Sequence, residues 1–181
     1  MNYIVFDLEC TCWKSAPPGL IMETIEIGAV KVDDYGEVVD TFQAFIRPVA
    51  NPILSAFCRE LTTITQLQVD RAKKFTEVIE KFQDWADIGY GEEYLLISWG
   101  GFDKRQLQKD CKQHQLDAEW TEKHVDLKDV YQKKRRFRQP VGMAKVMDLE
   151  NMEFIGTPHR AINDAKNLTR VFQKFFGQWD I

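Results

Sequence analysis

The chain has 181 residues, 44% hydrophobic and 12% aromatic, with a net charge of −4. That supplies enough apolar material for one packed domain over residues 1–181 and excludes an intrinsically disordered chain. The mild acidity excludes a polycation, so any contact with nucleic acid must use a local basic patch or metal ions bridging to phosphate.

Cys10, Cys12, Cys58 and Cys111 form no C-x-x-C pair, and Cys10-x-Cys12 has no second Cys/His pair at zinc spacing. Reduced thiols in a cytoplasmic protein are therefore expected. The chain opens without a basic-then-apolar leader, and no run approaches the ~18 apolar residues of a membrane helix, so no membrane partner is expected.

In chain order, Tyr3 to Leu8 reads as a strand buried on at least one face, with Asp7 and Glu9 set into its end. Strand side chains alternate, so the two acids share a side. Carboxylates this close repel, and burial worsens the repulsion unless a cation neutralises them. A hard divalent ion with oxygen ligands, Mg2+ or Mn2+, does so. A solvent-facing strand end with two ordinary acids accounts for the same pattern. Cys10 to Leu20, with Trp13, Pro17, Pro18 and Gly19, is a loop beside these acids, placed to wall a site. Ile25–Val32 and Val38–Ile46 read as the next strands, joined by a turn at Asp33–Gly36, giving an antiparallel meander that Pro48 ends.

Pro52–Leu61 reads as a short helix with Leu54, Phe57 and Leu61 on one face, and Thr65 caps another over Gln66–Asp70. From Phe75 to Ala86, Phe75, Val78, Ile79, Phe82 and Trp85 keep the i, i+3, i+4, i+7 spacing of a core-facing helix. Tyr94–Trp99 suits a buried strand, broken by Gly100-Gly101. A helix then opens at Phe102-Asp103 and runs to about His114, so Asp103 is either an N-cap or an acid at the end of a buried strand. Glu122–Leu127 reads as a fifth strand and Lys128–Arg136 as a helix. Lys133, Lys134, Arg135, Arg136 and Arg138 at its end fit either a solvated terminus favoured by the macrodipole or a phosphate-contacting patch. Val141–Leu149 is a further short helix. Ala161, Ala165, Leu168, Phe172 and Phe175 stripe a final helix that ends near Phe176, with Gly177 as its cap. His159 and Asp164 are about 140° apart on a helix, which places His159 in the preceding loop or cap and Asp164 in the first turns. A capping histidine and a first-turn acid favoured by the dipole are the ordinary accounts of these two.

In mixed α/β sheets, sites form where strand ends and helix starts meet. Four acids and a histidine at such places suit two-metal phosphoryl chemistry. Three motifs, Phe6-Asp7-Leu8-Glu9, Trp99-Gly100-Gly101-Phe102-Asp103 and His159-Arg160-Ala161-Ile162-Asn163-Asp164-Ala165-Lys166-Asn167, resemble those of the DEDDh 3′-to-5′ exonucleases. Asp7-Leu8-Glu9-Cys10-Thr11-Cys12 and Leu54–Thr62, with Ile64-Thr65-Gln66 and Gln68-Val69-Asp70, are similar to the Eri-type exoribonucleases and the related bacterial sporulation-inhibitor proteins. The resemblance covers residues 3 to 176. It implies an α/β, ribonuclease H-like fold, a five-stranded mixed sheet flanked by helices with the Asp7 strand at its centre. It further implies two Mg2+ or Mn2+ ions on Asp7, Glu9, Asp103 and Asp164, and His159 as general base, the commonest side chain for that task.

The implied substrate is a single strand of RNA or DNA with a free 3′ end, RNA favoured, shortened to nucleoside 5′-monophosphates. Glu9, Cys10, Thr11, Phe57, Leu61, Phe102, Asp103 and His159 would surround that end. Phe57, Leu61 and Phe102 could hold the terminal base by stacking or apolar contact, and core packing fits the same three residues. Phe102 stands where some Eri-type relatives carry Trp, and the length leaves no room for the accessory nucleic-acid-binding domain of some animal relatives. Two other readings compete: a regulatory module binding nucleic acid or a protein partner, which all five catalytic positions speak against, and a proofreading subunit, for which no polymerase-binding tail follows the last helix.

Overall fold

The segment Thr24–Val32 is buried at almost every position, which a strand tolerates only with neighbours at both edges and elements packed on both faces. This strand, β2, pairs antiparallel with β1 (Asn2–Cys10) and with β3 (Val38–Arg47), the expected meander. A computed structural model describes residues 1–15 and 18–181; Pro17 of the first loop lies outside the described residues. Beyond β3 lies β4 (Lys73–Lys74), and on the other side of β1 come β5 (Tyr94–Ser98) and β6 (His124–Asp126), both running parallel to β1. The order is β4-β3-β2-β1-β5-β6. Among the described residues the sheet thus has six strands rather than five. The extra one is a two-residue pairing of Lys73-Lys74 with Ile46-Arg47, too short to leave any alternation in the sequence. Among the five longer strands β1 is central.

Among the described residues, seven α-helices flank the sheet: α1 (Ala56–Thr62), α2 (Gln66–Arg71), α3 (Phe75–Trp85), α4 (Phe102–Gln113), α5 (Leu127–Arg135), α6 (Met143–Leu149) and α7 (Ala161–Lys174). The pleat of β1 sorts its residues. Ile4, Phe6, Leu8 and Cys10 enter a core with Phe75, Ile79 and Phe82 of α3 and Leu107 of α4. Tyr3 and Val5 pack on the other face against Leu127 of α5 and Leu168 and Phe172 of α7. Asp7 and Glu9 continue this second row towards α7. Among the described residues, no helix is long and apolar enough to cross a membrane.

Three local expectations are corrected. The first helix begins at Ala56, not Pro52, because the Ser55 side chain accepts from Cys58 N–H and caps it there. Its buried side is Cys58 and Thr62, so Leu54 precedes the helix, and Phe57 and Leu61 lie on a different side. Asp103 is not an N-cap: Gly101 holds that position and Asp103 is the second helical residue. The last helix stops at Lys174 with Phe175 as its cap, and Gly177, at φ 73°, lies two residues beyond that cap. The Thr65 cap is present as expected, with Gln68 closing a reciprocal capping box.

One glycine sets how closely the last helix meets the sheet. Gly28 of β2 is the register partner of Asp7. A Cβ placed there would lie 2.1 Å from Ile162 N and 2.3 Å from the Ala161 carbonyl carbon. Only a residue without a side chain lets the first turn of α7 rest directly on β2, one strand away from Asp7.

Candidate active site

That close approach delivers Asp164. Single carboxylate oxygens of Asp7, Glu9 and Asp164 lie within 4.8 Å of one another. Asp103 arrives from the first turn of α4, 5% exposed, and its Oδ1 accepts the Leu8 N–H at 3.3 Å, on the peptide between the two strand acids. The carboxylate is thus turned towards β1 instead of capping its own helix. His159 lies in the loop before α7, exposed, with its backbone left-handed at φ 60°. Arg160 is the N-cap of α7, and its N–H donates to Asp164 Oδ2 at 3.1 Å. The structure therefore brings all five expected residues to one end of the sheet, three acids around a common point, with Asp103 held at the Leu8 amide and His159 at the margin.

The electrostatics are those of carboxylates crowded away from water. Burial, then the charges of Asp103, Asp164, Glu9 and Glu26, hold Asp7 well above the usual carboxylate range. Burial, Asp164 and Glu26 push Glu9 up to about 8. Asp103 rises to about 7 through burial, despite amide hydrogen bonds that favour its charged form. Asp164 is raised, again mainly by burial. Among the described residues, no Lys or Arg forms an ion pair with any of the four. Hard oxygen donors, excess negative charge and no fixed counter-ion fit divalent cations of the Mg2+ or Mn2+ type.

The remaining expected residues divide. Phe57 and Leu61, with Lys14 and Glu60, line an open cleft of about 700 Å³. Phe57 is 37% and Phe102 45% exposed, which rules out core packing for both. Cys10 and Thr11 are placed with their side chains turned inward, which leaves main-chain atoms for any contact to substrate. The Cys10 thiol belongs to the core, and the buried Thr11 hydroxyl accepts from Glu23 N–H at 3.0 Å. In the basic cluster, Lys133 pairs with Asp129 and Arg135 with Glu150, whereas Arg136 and Arg138 are exposed.

Sequence reasoning passed over Gly28, Glu26 and Arg160. Glu26 is fully buried on β2, opposite Glu9, and takes the Arg160 guanidinium. An acid in an alternating strand gives no signal for this. Arg160 sits inside the third motif, and an arginine beside the expected base was the only available sign.

A family description, Exonuclease (RNase_T), matches residues 4–172. The chain is 33% identical over 178 residues to 3′-5′ exoribonuclease 1 of Homo sapiens, covering 94% of this chain and 51% of that protein. It is 30% identical over 175 residues to the probable 3′-5′ exonuclease KapD of Bacillus subtilis (strain 168), covering 95% and 83%. Among solved structures, the nuclease domain of 3′hExo, a DEDDh family member bound to rAMP, aligns with a TM-score of 0.90 at 30% identity over 97% of this chain and 92% of that one. The chain spans about half the length of the mammalian exoribonuclease 1 relatives it matches. By the extent of the family match and the agreement in fold, the chain belongs to the exonuclease (RNase_T) family, with the architecture of a DEDDh nuclease.

Proposed function

We propose that the chain is a 3′-to-5′ exonuclease that removes nucleoside 5′-monophosphates from single-stranded nucleic acid with a free 3′ end, RNA in preference to DNA. The observation that carries this is the convergence of Asp7, Glu9 and Asp164 within 4.8 Å, with Asp103 fixed at the Leu8 amide. DEDDh exonucleases depend on divalent metal. Here Asp7, Glu9, Asp103 and Asp164 would hold two ions, Mg2+ or Mn2+. Bound there, the ions would supply Lewis-acid stabilisation of phosphate charge and a water acidic enough to attack near neutral pH.

The chain's own groups supply the rest. His159, exposed at the margin, takes the proton of the attacking water on a ring nitrogen. Phe57, Leu61 and Phe102 offer apolar surface for the terminal base, contact that tolerates any sequence. The preference for RNA is supported by the exoribonuclease relative and by the rAMP bound to 3′hExo. A cytoplasmic setting, which keeps the four free thiols reduced, belongs to the same proposal.

The test uses matched, labelled RNA and DNA single strands with Mg2+. Stepwise shortening from the 3′ end, faster on RNA and stopped by chelator, is expected. Asp7→Asn and Asp103→Asn should abolish nucleotide release with the fold retained, and unchanged release from both overturns the assignment. His159→Ala should lower turnover far more than strand binding. Tight binding without shortening would favour a regulatory module instead.

A further inference from the structure

Arg160 follows His159 and caps α7, yet its side chain reaches back beneath the site. Its Nε and one terminal nitrogen each lie 3.0 Å from an oxygen of Glu26, a two-pronged pair. The same buried carboxylate accepts from Gln43 Nε2 of β3 at 2.7 Å and from Ala161 N–H at 3.2 Å. The guanidinium also lies 5.2 Å from the centre of the Phe45 ring. One acid on β2 therefore ties β3 and the start of α7 to the strand that pairs with Glu9.

The residue next to this tether needs it. His159 is held at φ 60°, a left-handed conformation uncommon for a residue with a side chain, though His takes it more readily than most. Asp164 restrains the same backbone through the Arg160 amide, but its carboxylate is also a proposed metal ligand. The Asn163 and Asp164 amides on the Arg160 carbonyl and the Asn163 side chain on the Thr157 carbonyl hold the loop through its main chain; the Glu26–Arg160 pair adds a side-chain restraint that does not depend on ions and ties it to the sheet. We propose that Arg160 and Glu26 are positioning residues, clamping the backbone beside His159 so that its ring is presented to the acid cluster. This rests on the reading of His159 as the proton acceptor.

A merely stabilising pair is the competing account, and the variants separate the two. Removing Arg160 alone leaves a buried charge unpaired, so the informative variant is Glu26→Gln/Arg160→Met. It removes both charges and keeps an oxygen for Ala161 N–H. It is expected to melt within about 3 °C of the unaltered protein, with kcat on a labelled RNA strand lowered about 10- to 100-fold and KM within about twofold. Added to His159→Ala, it should lower kcat no further, because the group it positions is gone. Arg160→Lys keeps the charge but not the fork, and should lose kcat about fivefold or more at unchanged Tm.

Full turnover in either Arg160 variant, with His159→Ala slow, overturns the positioning role and leaves the proton acceptor standing. A further multiplicative loss in the His159→Ala background also overturns it. Full turnover in His159→Ala itself overturns the acceptor reading and the positioning role together.

Discussion

Gly28→Ala is the sharpest test of how this fold builds its site, because the residue has no side chain to offer a metal or a substrate and acts only through the contact of α7 on β2. The new methyl would start 2.1 Å from a backbone nitrogen of α7, so helix and sheet must part by about 1 Å or more before ordinary contact returns. Backbone cannot rotate aside as a side chain can. The overpacking cost therefore falls at the upper end of the usual range, about 2–3 kcal/mol, which lowers Tm by about 5–10 °C in a chain of this size. The same displacement acts on Asp164, two residues beyond Ile162, whose oxygen must meet those of Asp7 and Glu9. A misplacement of about 1 Å in a catalytic group costs about 100-fold in rate. Two measurements follow: thermal melting without metal, and Mg2+-dependent nucleotide release with the apparent Mg2+ affinity extracted from its concentration dependence. A loss in both Mg2+ affinity and rate is expected. A Gly28→Ala protein with Tm within about 1 °C of the unaltered chain and release within about twofold would refute the view that direct contact of α7 on β2 assembles the acids.

Other outcomes concern different links. Glu9, with a folded pKa of about 8 against an ordinary value of 4.5, binds more protons in the folded than in the unfolded metal-free protein between those values, and Asp7 and Asp103 act in the same direction. Their contribution to stability is thus greatest at low pH and is lost as pH rises towards 8. The metal-free Tm should fall between pH 5.5 and pH 8.5, and Mg2+ should raise it more at the upper value; a metal-free Tm rising across that interval would contradict the crowding of these acids. Phe57→Ala should weaken binding of a single strand by about 5- to 150-fold, the span of about 1–3 kcal/mol for a stacked base, with a smaller fall in Tm than a fully buried Phe would cause, because the ring is 37% exposed. A drop in Tm with binding unaltered would return Phe57 to the core. Thr65→Ala removes the capping box of α2 and should cost about 1 kcal/mol in denaturant melts without affecting nucleotide release.

Much of this molecule is written locally. Apolar runs at Tyr3–Leu8 and Tyr94–Ser98, the stripes of α3 and α7, and the Thr65 cap follow from periodicity and hydrogen-bonding rules that act over a few residues, so the sequence alone determined these elements and the three acid-bearing motifs. Alternation along one strand likewise put Asp7 and Glu9 on one side. What only the tertiary structure decided lies in contacts between distant segments: that Asp103 turns to the Leu8 amide, that Cys58 rather than Phe57 faces inward on α1, that the Cys10 and Thr11 side chains turn inward, and that Gly28 admits α7. The Glu26–Arg160 pair, 134 positions apart, is of the same kind. Such contacts leave no periodic trace because each depends on how closely two backbones approach, a quantity set by packing across the whole sheet.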